Sequence, residues 1–118
     1  MAKNFVQDGI TIEYTASGAV LSGAIVIAGA LVAVALNNVA ATEIGVASVE
    51  GVFELPKTAG TAITQGAAVD YDLSAKEFAV ITTPAVGDLV GCGIAWAAAA
   101  SADTTVLVKI NTGAAVVT

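Results

Sequence analysis

Apolar and polar positions alternate through "ITIEYT": Ile10, Ile12 and Tyr14 fall on one side, and Thr11, Glu13 and Thr15 on the other. This period of two predicts a half-buried strand. The next stretch, "GAVLSGAIVIAGALVAVAL" from Gly18 to Leu36, contains 19 residues and no charge. A bilayer helix needs about 20 apolar residues, so length alone does not decide what this run is. Gly23 and Gly29 divide it into "AIVI" and "LVAVAL", each of strand length and rich in β-branched residues. No lysine lies between Lys3 and Lys57, so the basic flank that orients a membrane span is missing. Two short buried strands joined near Gly29 are predicted, and no membrane partner.

Further along, "NNVAATE" reads as a loop, "IGVASVE" as an alternating strand and "GVFELP" as a strand that ends at Pro56. "KTAGTAITQG" is a connection, within which Ala59–Thr64 could form a single helical turn. "AAVDYD" and "EFAVIT" read as strands around a "DLSAK" hairpin loop. "GDLVGCGIAWA" and "TTVLVKIN" follow as strands, and the "AAAASAD" between them is too short for a stable helix despite its alanines. The end, "TGAAVVT" (112–118), is either a last edge strand or a flexible tail.

The two halves of the chain echo one another. "SGAIV" at Ser22 is similar to "QGAAV" at Gln65. "LVAVALNNVAATEIGVASVE" from Leu31 is similar to "LVGCGIAWAAAASADTTVLVKI" from Leu89, with a two-residue insertion. Each half offers strand, turn, strand, loop, strand, either through a structural duplication or because Ala/Val/Gly-rich text repeats itself by chance. Many short strands at close spacing predict an all-β fold, a small compact β-barrel or sandwich. The 118 residues suit one β domain, with 1–9 as an N-terminal arm.

Charge narrows the function. Ten acids against four lysines leave a net charge of −6, with no arginine and no histidine. Nucleic-acid binding draws on Lys and Arg against phosphate, so no nucleic-acid partner is expected. Without histidine there is no Ser/His or Cys/His nucleophile pair, no imidazole base and no imidazole metal ligand. Cys92 has apolar neighbours in "LVGCGIAW" and reads as a core thiol. Asp70 and Asp72, two apart at a strand end, are either a weak divalent-cation pair or solvated acids at a hairpin mouth. "GVFELPKT" superficially looks like a phosphate loop, but Pro56 stands where the second glycine must be and has no N–H to offer. Lys57 is then expected at the surface of a strand end. These absences predict a protein that is not an enzyme, with no cofactor, no metal and no small-molecule substrate.

The N-terminus, "MAKNFVQDGITIEYT", places Asn4, Gln7, Asp8 and Glu13 where a signal peptide would be apolar. The chain is expected to stay in the compartment where it is made. Most of the six aromatic residues read as core anchors, with Phe5 and Trp96 as the exceptions. An arm such as "AKNFVQDG" either frays or adds a strand to a partner.

"MAKNFVQDGITIEYTA", "SGAIVIAGALVAVAL" and, most specifically, "GVFELPKTAGTAITQGAAVDYD" resemble a family of small phage proteins described as capsid cement or decoration proteins. The resemblance runs from Met1 to about Asn111. It implies a compact β fold that binds the outer surface of the capsid between capsomers, commonly as a homotrimer, and strengthens the shell. The implied partner is the major capsid protein, and the implied location is the virion, after synthesis in the host cytoplasm. Older descriptions of the family as a RecA/RadA-like recombinase find no support here, since the phosphate loop and a basic surface are both missing. A recombination accessory is therefore disfavoured, and a self-assembling β module of a phage tail or fibre is the alternative. On the decoration reading, Ala2, Lys3, Asn4, Phe5, Val6 and Gln7 are the expected capsid contacts.

Overall fold

The protein is described by a computed structural model over residues 3–118. Ten strands form among these residues: β1 (Thr11–Thr15), β2 (Ile25–Ala28), β3 (Leu31–Ala35), β4 (Ile44–Ser48), β5 (Val52–Pro56), β6 (Ala68–Asp72), β7 (Glu77–Ala79), β8 (Leu89–Ala95), β9 (Thr105–Ile110) and β10 (Val116–Val117). No helix forms among the described residues, and the fold is all-β. The uncharged run contains the β2–β3 hairpin, with Ala28 opposite Leu31 across a two-residue turn. Gly29 there has φ 61°, a conformation that two-residue hairpin turns demand and that glycine adopts without a Cβ clash. Among the described residues no helix is long and apolar enough to cross a membrane.

Two antiparallel sheets share the strands. The first has the order β1-β4-β3-β2, and the second β5-β9-β8-β6-β7, with β10 pairing the start of β8. The second sheet curls until Lys57, just past β5, bridges Phe78 of β7 in parallel, which nearly closes a small barrel. Val32 and Val34 of β3 are buried in one cluster with Leu55, Ile63, Val69, Phe78, Leu89, Val106 and Val108 of the second half. The Tyr71 and Phe78 rings meet within it at 5.1 Å and 56°. The first sheet therefore packs its apolar face onto the barrel's core, and neither sheet is buried alone.

The echo between the halves is structural. β1, β4, β3 and β2 lie in the same order as β5, β9, β8 and β6, and the turns repeat bond for bond. Gly23 N–H donates to Ala35 O at 2.7 Å, as Gly66 N–H does to Ala95 O at 2.8 Å. The Val20–Val39 bridge recurs as Ile63–Ala99. Leu36 N–H donates to Val46 O, as Trp96 N–H does to Leu107 O. These bonds match Ala35 with Ala95, so Leu31 corresponds to Gly91 and not to Leu89. The insertion suggested by the alignment thus falls elsewhere. β8 carries its own irregularity beside β6, between Val69 and Tyr71.

Ala59–Thr64 forms no helical turn. Gly60 N–H donates to Ser101 O and Ile63 pairs with Ala99, so this segment's backbone bonds go to the β8–β9 loop and not to its own carbonyls.

The halves are latched by Asn111, which has φ 56°. Its Oδ1 accepts from Val32 N–H at 3.0 Å, and its Nδ2 donates to Val32 O at 2.6 Å and Val49 O at 2.8 Å. The side-chain amide thus pairs with β3 as a neighbouring strand's peptide would. Asn suits the position because it tolerates the left-handed region.

Candidate functional site

The buried carboxylates have structural partners, whereas the Tyr14 hydroxyl is buried without one. Asp70 Oδ1 accepts from Gly91 N–H at 2.8 Å and Oδ2 from Ile81 N–H at 2.9 Å. Asp88 similarly accepts from Leu73 and Ala85 N–H. Asp72 turns to its own hairpin: the Ala75 N–H and then the Ser74 hydroxyl and N–H hold its carboxyl below the usual range. Asp70 and Asp72 therefore serve different loops. Asp70 is buried and not a solvated acid, because it satisfies amides where β8 departs from its register with β6.

Lys57 is also not at the surface. It is 1% exposed, and its Nζ donates to Thr58 O at 3.0 Å and Asp103 O at 3.3 Å. The cause is barrel closure, which draws the end of β5 under the Asp103–Thr104 turn, where Lys57 N–H donates to Thr104 O.

Cys92 is buried, with its thiol 3.5 Å from Val69 O. Burial first, and the Asp70 carboxylate second, push it up to about 12. Only about one thiol in ten thousand is then ionised at pH 8. A disulfide-exchange reagent is expected to label native Cys92 only as fast as the protein unfolds. Labelling at the rate of a free thiol would contradict that environment.

Several large apolar side chains face outward among polar ones. Trp96 is 53% exposed and Leu36 49%, each following the last residue of a central strand. Beside them, Leu107 and Val46 are 37% and 36% exposed. Trp96 thus lies outside the core, as expected for it, and so does Phe5 at 56%. Lys3, Asn4, Phe5, Val6 and Gln7 are all exposed and belong to no strand; Ala2 lies outside the described residues. The arm's side-chain tether is Gln7 Nε2, which donates to Thr11 O at 3.1 Å. It leads into β1, which pairs with β4 on one side and presents its other edge. The exposed strand faces carry the second set of candidate contacts. The signal for them in the sequence was faint, since an outward apolar residue in a strand looks like a core residue until its partners are known.

Comparison with curated proteins and with solved structures gives no match. A family model described as phage cement protein matches residues 6–110, spanning β1 to β9 and both halves of the duplicated fold. This is a structural family of phage capsids. The chain belongs to the phage cement proteins.

Proposed function

We propose that this protein is a non-enzymatic capsid decoration protein that binds the outer surface of the shell through the major capsid protein and stabilises it. The family match over both halves carries this reading. It acts as a homotrimer, is made in the host cytoplasm and joins the particle there. Decoration requires a stable scaffold and a repeated adhesive surface, and weak contacts suffice because a trimer's second and third contacts are intramolecular. The net charge of −6 disfavours contact with packaged DNA, which suits the outside of the shell.

The test is to mix purified protein with expanded and unexpanded undecorated capsids and to image both. Density on the outer face is expected on at least one form, and bare particles in both cases would refute the proposal. Sedimentation is expected to give a discrete trimer; open-ended polymers would favour a tail or fibre module.

The arm, Ala2–Gln7, docks by adding a strand to the capsid protein. The exposure of Lys3 to Gln7 and the free edge of β1 beside them support this role. Deleting residues 2–7 is expected to weaken capsid binding about tenfold, equivalent to ~1.4 kcal/mol, with the melting temperature unchanged. Unaltered binding would remove the arm from the interface.

A further inference from the structure

The duplication extends to the outer surface. In the first half Glu13 lies opposite Val46 across β1 and β4, and Val46 O accepts from Leu36 N–H. In the second half Glu54 lies opposite Leu107 across β5 and β9, and Leu107 O accepts from Trp96 N–H. The flanking polar group is repeated too: Ser22 Oγ donates to Leu36 O at 3.4 Å, and Gln65 Nε2 to Trp96 O at 3.2 Å. Exposures match pairwise, 49% with 53% and 36% with 37%. The letters differ, Leu for Trp and Val for Leu, yet both places keep two outward apolar side chains beside a carboxylate. Folding does not require this, because outward strand positions accept polar residues freely.

We infer that these are two copies of one docking patch, and that each seats on the same apolar groove, rimmed by basic side chains, of a separate shell subunit. The inference rests on the decoration reading and names the surface that would perform it. Two like patches fit a target that is itself repeated, and an icosahedral shell presents identical subunits side by side. A second copy of this chain fits less well. Patch against patch would set Glu13 of one copy near the same carboxylate of the other, in a chain that already carries −6; the exposed Lys109, two residues from Leu107, accompanies the Glu54 patch alone. A groove with basic rims meets both the apolar pair and the acid.

Val46→Lys and Leu107→Lys place a charge in each patch, and each new lysine faces a glutamate across the strand pair, which supports the fold. Leu36→Ser and Trp96→Ser form a second pair that adds no charge. With undecorated capsids of its phage, either lysine variant is expected to bind about tenfold more weakly and the double variant more than a hundredfold, since both patches contribute to avidity. Circular dichroism and melting temperature should match the parent protein. Parent-like binding by both pairs of variants would overturn the patches while leaving the decoration reading intact. Loss confined to one half would overturn their equivalence. A drop in solution mass with capsid binding unchanged would assign the patches to contacts between copies and overturn the inference. Failure of the parent protein to bind any particle would refute the decoration reading, and this inference with it.

Discussion

Replacing Asn111 by alanine is expected to lower the unfolding free energy by about 3–5 kcal/mol, a large part of the ~5–15 kcal/mol typical of a domain. The substitution removes three hydrogen bonds, and the groups left behind are Val32 N–H, Val32 O and Val49 O. Val32 is fully buried, so water does not replace its partner. Alanine also fits the positive φ of this position poorly. Asn111→Gly removes that strain and should still lose most of the stability, which isolates the hydrogen bonds. Asn111→Asp keeps an acceptor for Val32 N–H but turns a carboxylate oxygen toward two carbonyls, and should be no better than alanine. Urea unfolding measures all three. An alanine variant within about 1 kcal/mol of the parent protein would show that the latch contributes little beyond an ordinary hydrogen bond. Because Asn111 joins the first half to the second, exchange of β3 amides should also accelerate more than that of β8 amides.

Gly93→Val is expected to cost about 3–5 kcal/mol, or to prevent folding altogether. Gly93 sits mid-sheet, opposite Val69 of β6 on one side and Ile110 of β9 on the other. A Cβ there would stand 2.7 Å from Val108 Cγ1 and 2.8 Å from the Lys109 carbonyl oxygen. The first contact could be relieved by a rotamer change. The second is backbone and yields only if β9 moves, which would break its pairing with β5. Gly93→Ala meets the same carbonyl and should lose a smaller but clear share. Gly18→Ala is the control, since a Cβ there meets nothing within 4 Å. Thermal melts of the three variants should fall in the order Gly18→Ala, Gly93→Ala, Gly93→Val, and equal melting temperatures would contradict the packing described.

Both positions show where reading the chain stops. "GCGIAW" was legible as a strand, but nothing in those letters marks Gly93 as the glycine against which β9 packs. Asn111 ends "TTVLVKIN" and looks like an ordinary polar residue closing a strand. Its partners are 62 and 79 positions away. Lys57 was misplaced for the same reason: a lysine after Pro56 at a strand end is normally solvated, and only barrel closure brings Thr58 O and Asp103 O around its ammonium group. The echo between the halves was visible, but its register was not. Ala/Val/Gly text aligns almost as well with a two-residue slip, whereas backbone hydrogen bonds admit a single pairing.

Of the exposed side chains, those of Lys3 to Gln7 were legible and those of Leu36, Val46, Trp96 and Leu107 were not. Lys3 to Gln7 precede the first alternating segment, and polarity close to a terminus is a local property. Leu36, Val46, Trp96 and Leu107 are apolar residues within or just beyond strands, and one chain position does not tell whether another layer covers it. Along β3 and just past its end the answer changes: Val32 and Val34 meet the barrel, and Leu36, two residues on, is exposed.

By itself the sequence determined that the chain is all-β, where its strands and turns lie, that its charge and missing histidines withhold several chemistries, and that it resembles the cement proteins. These are consequences of short-range physics: side chains alternate every two residues, glycine and proline punctuate, and charges can be counted. Tertiary structure alone decided which strands pair and in what register, how the barrel closes over Lys57, what Asn111 holds, and which apolar side chains remain outside. Each of those depends on groups distant in the chain competing for the same space and the same hydrogen bonds, and that competition is resolved only when the whole chain packs.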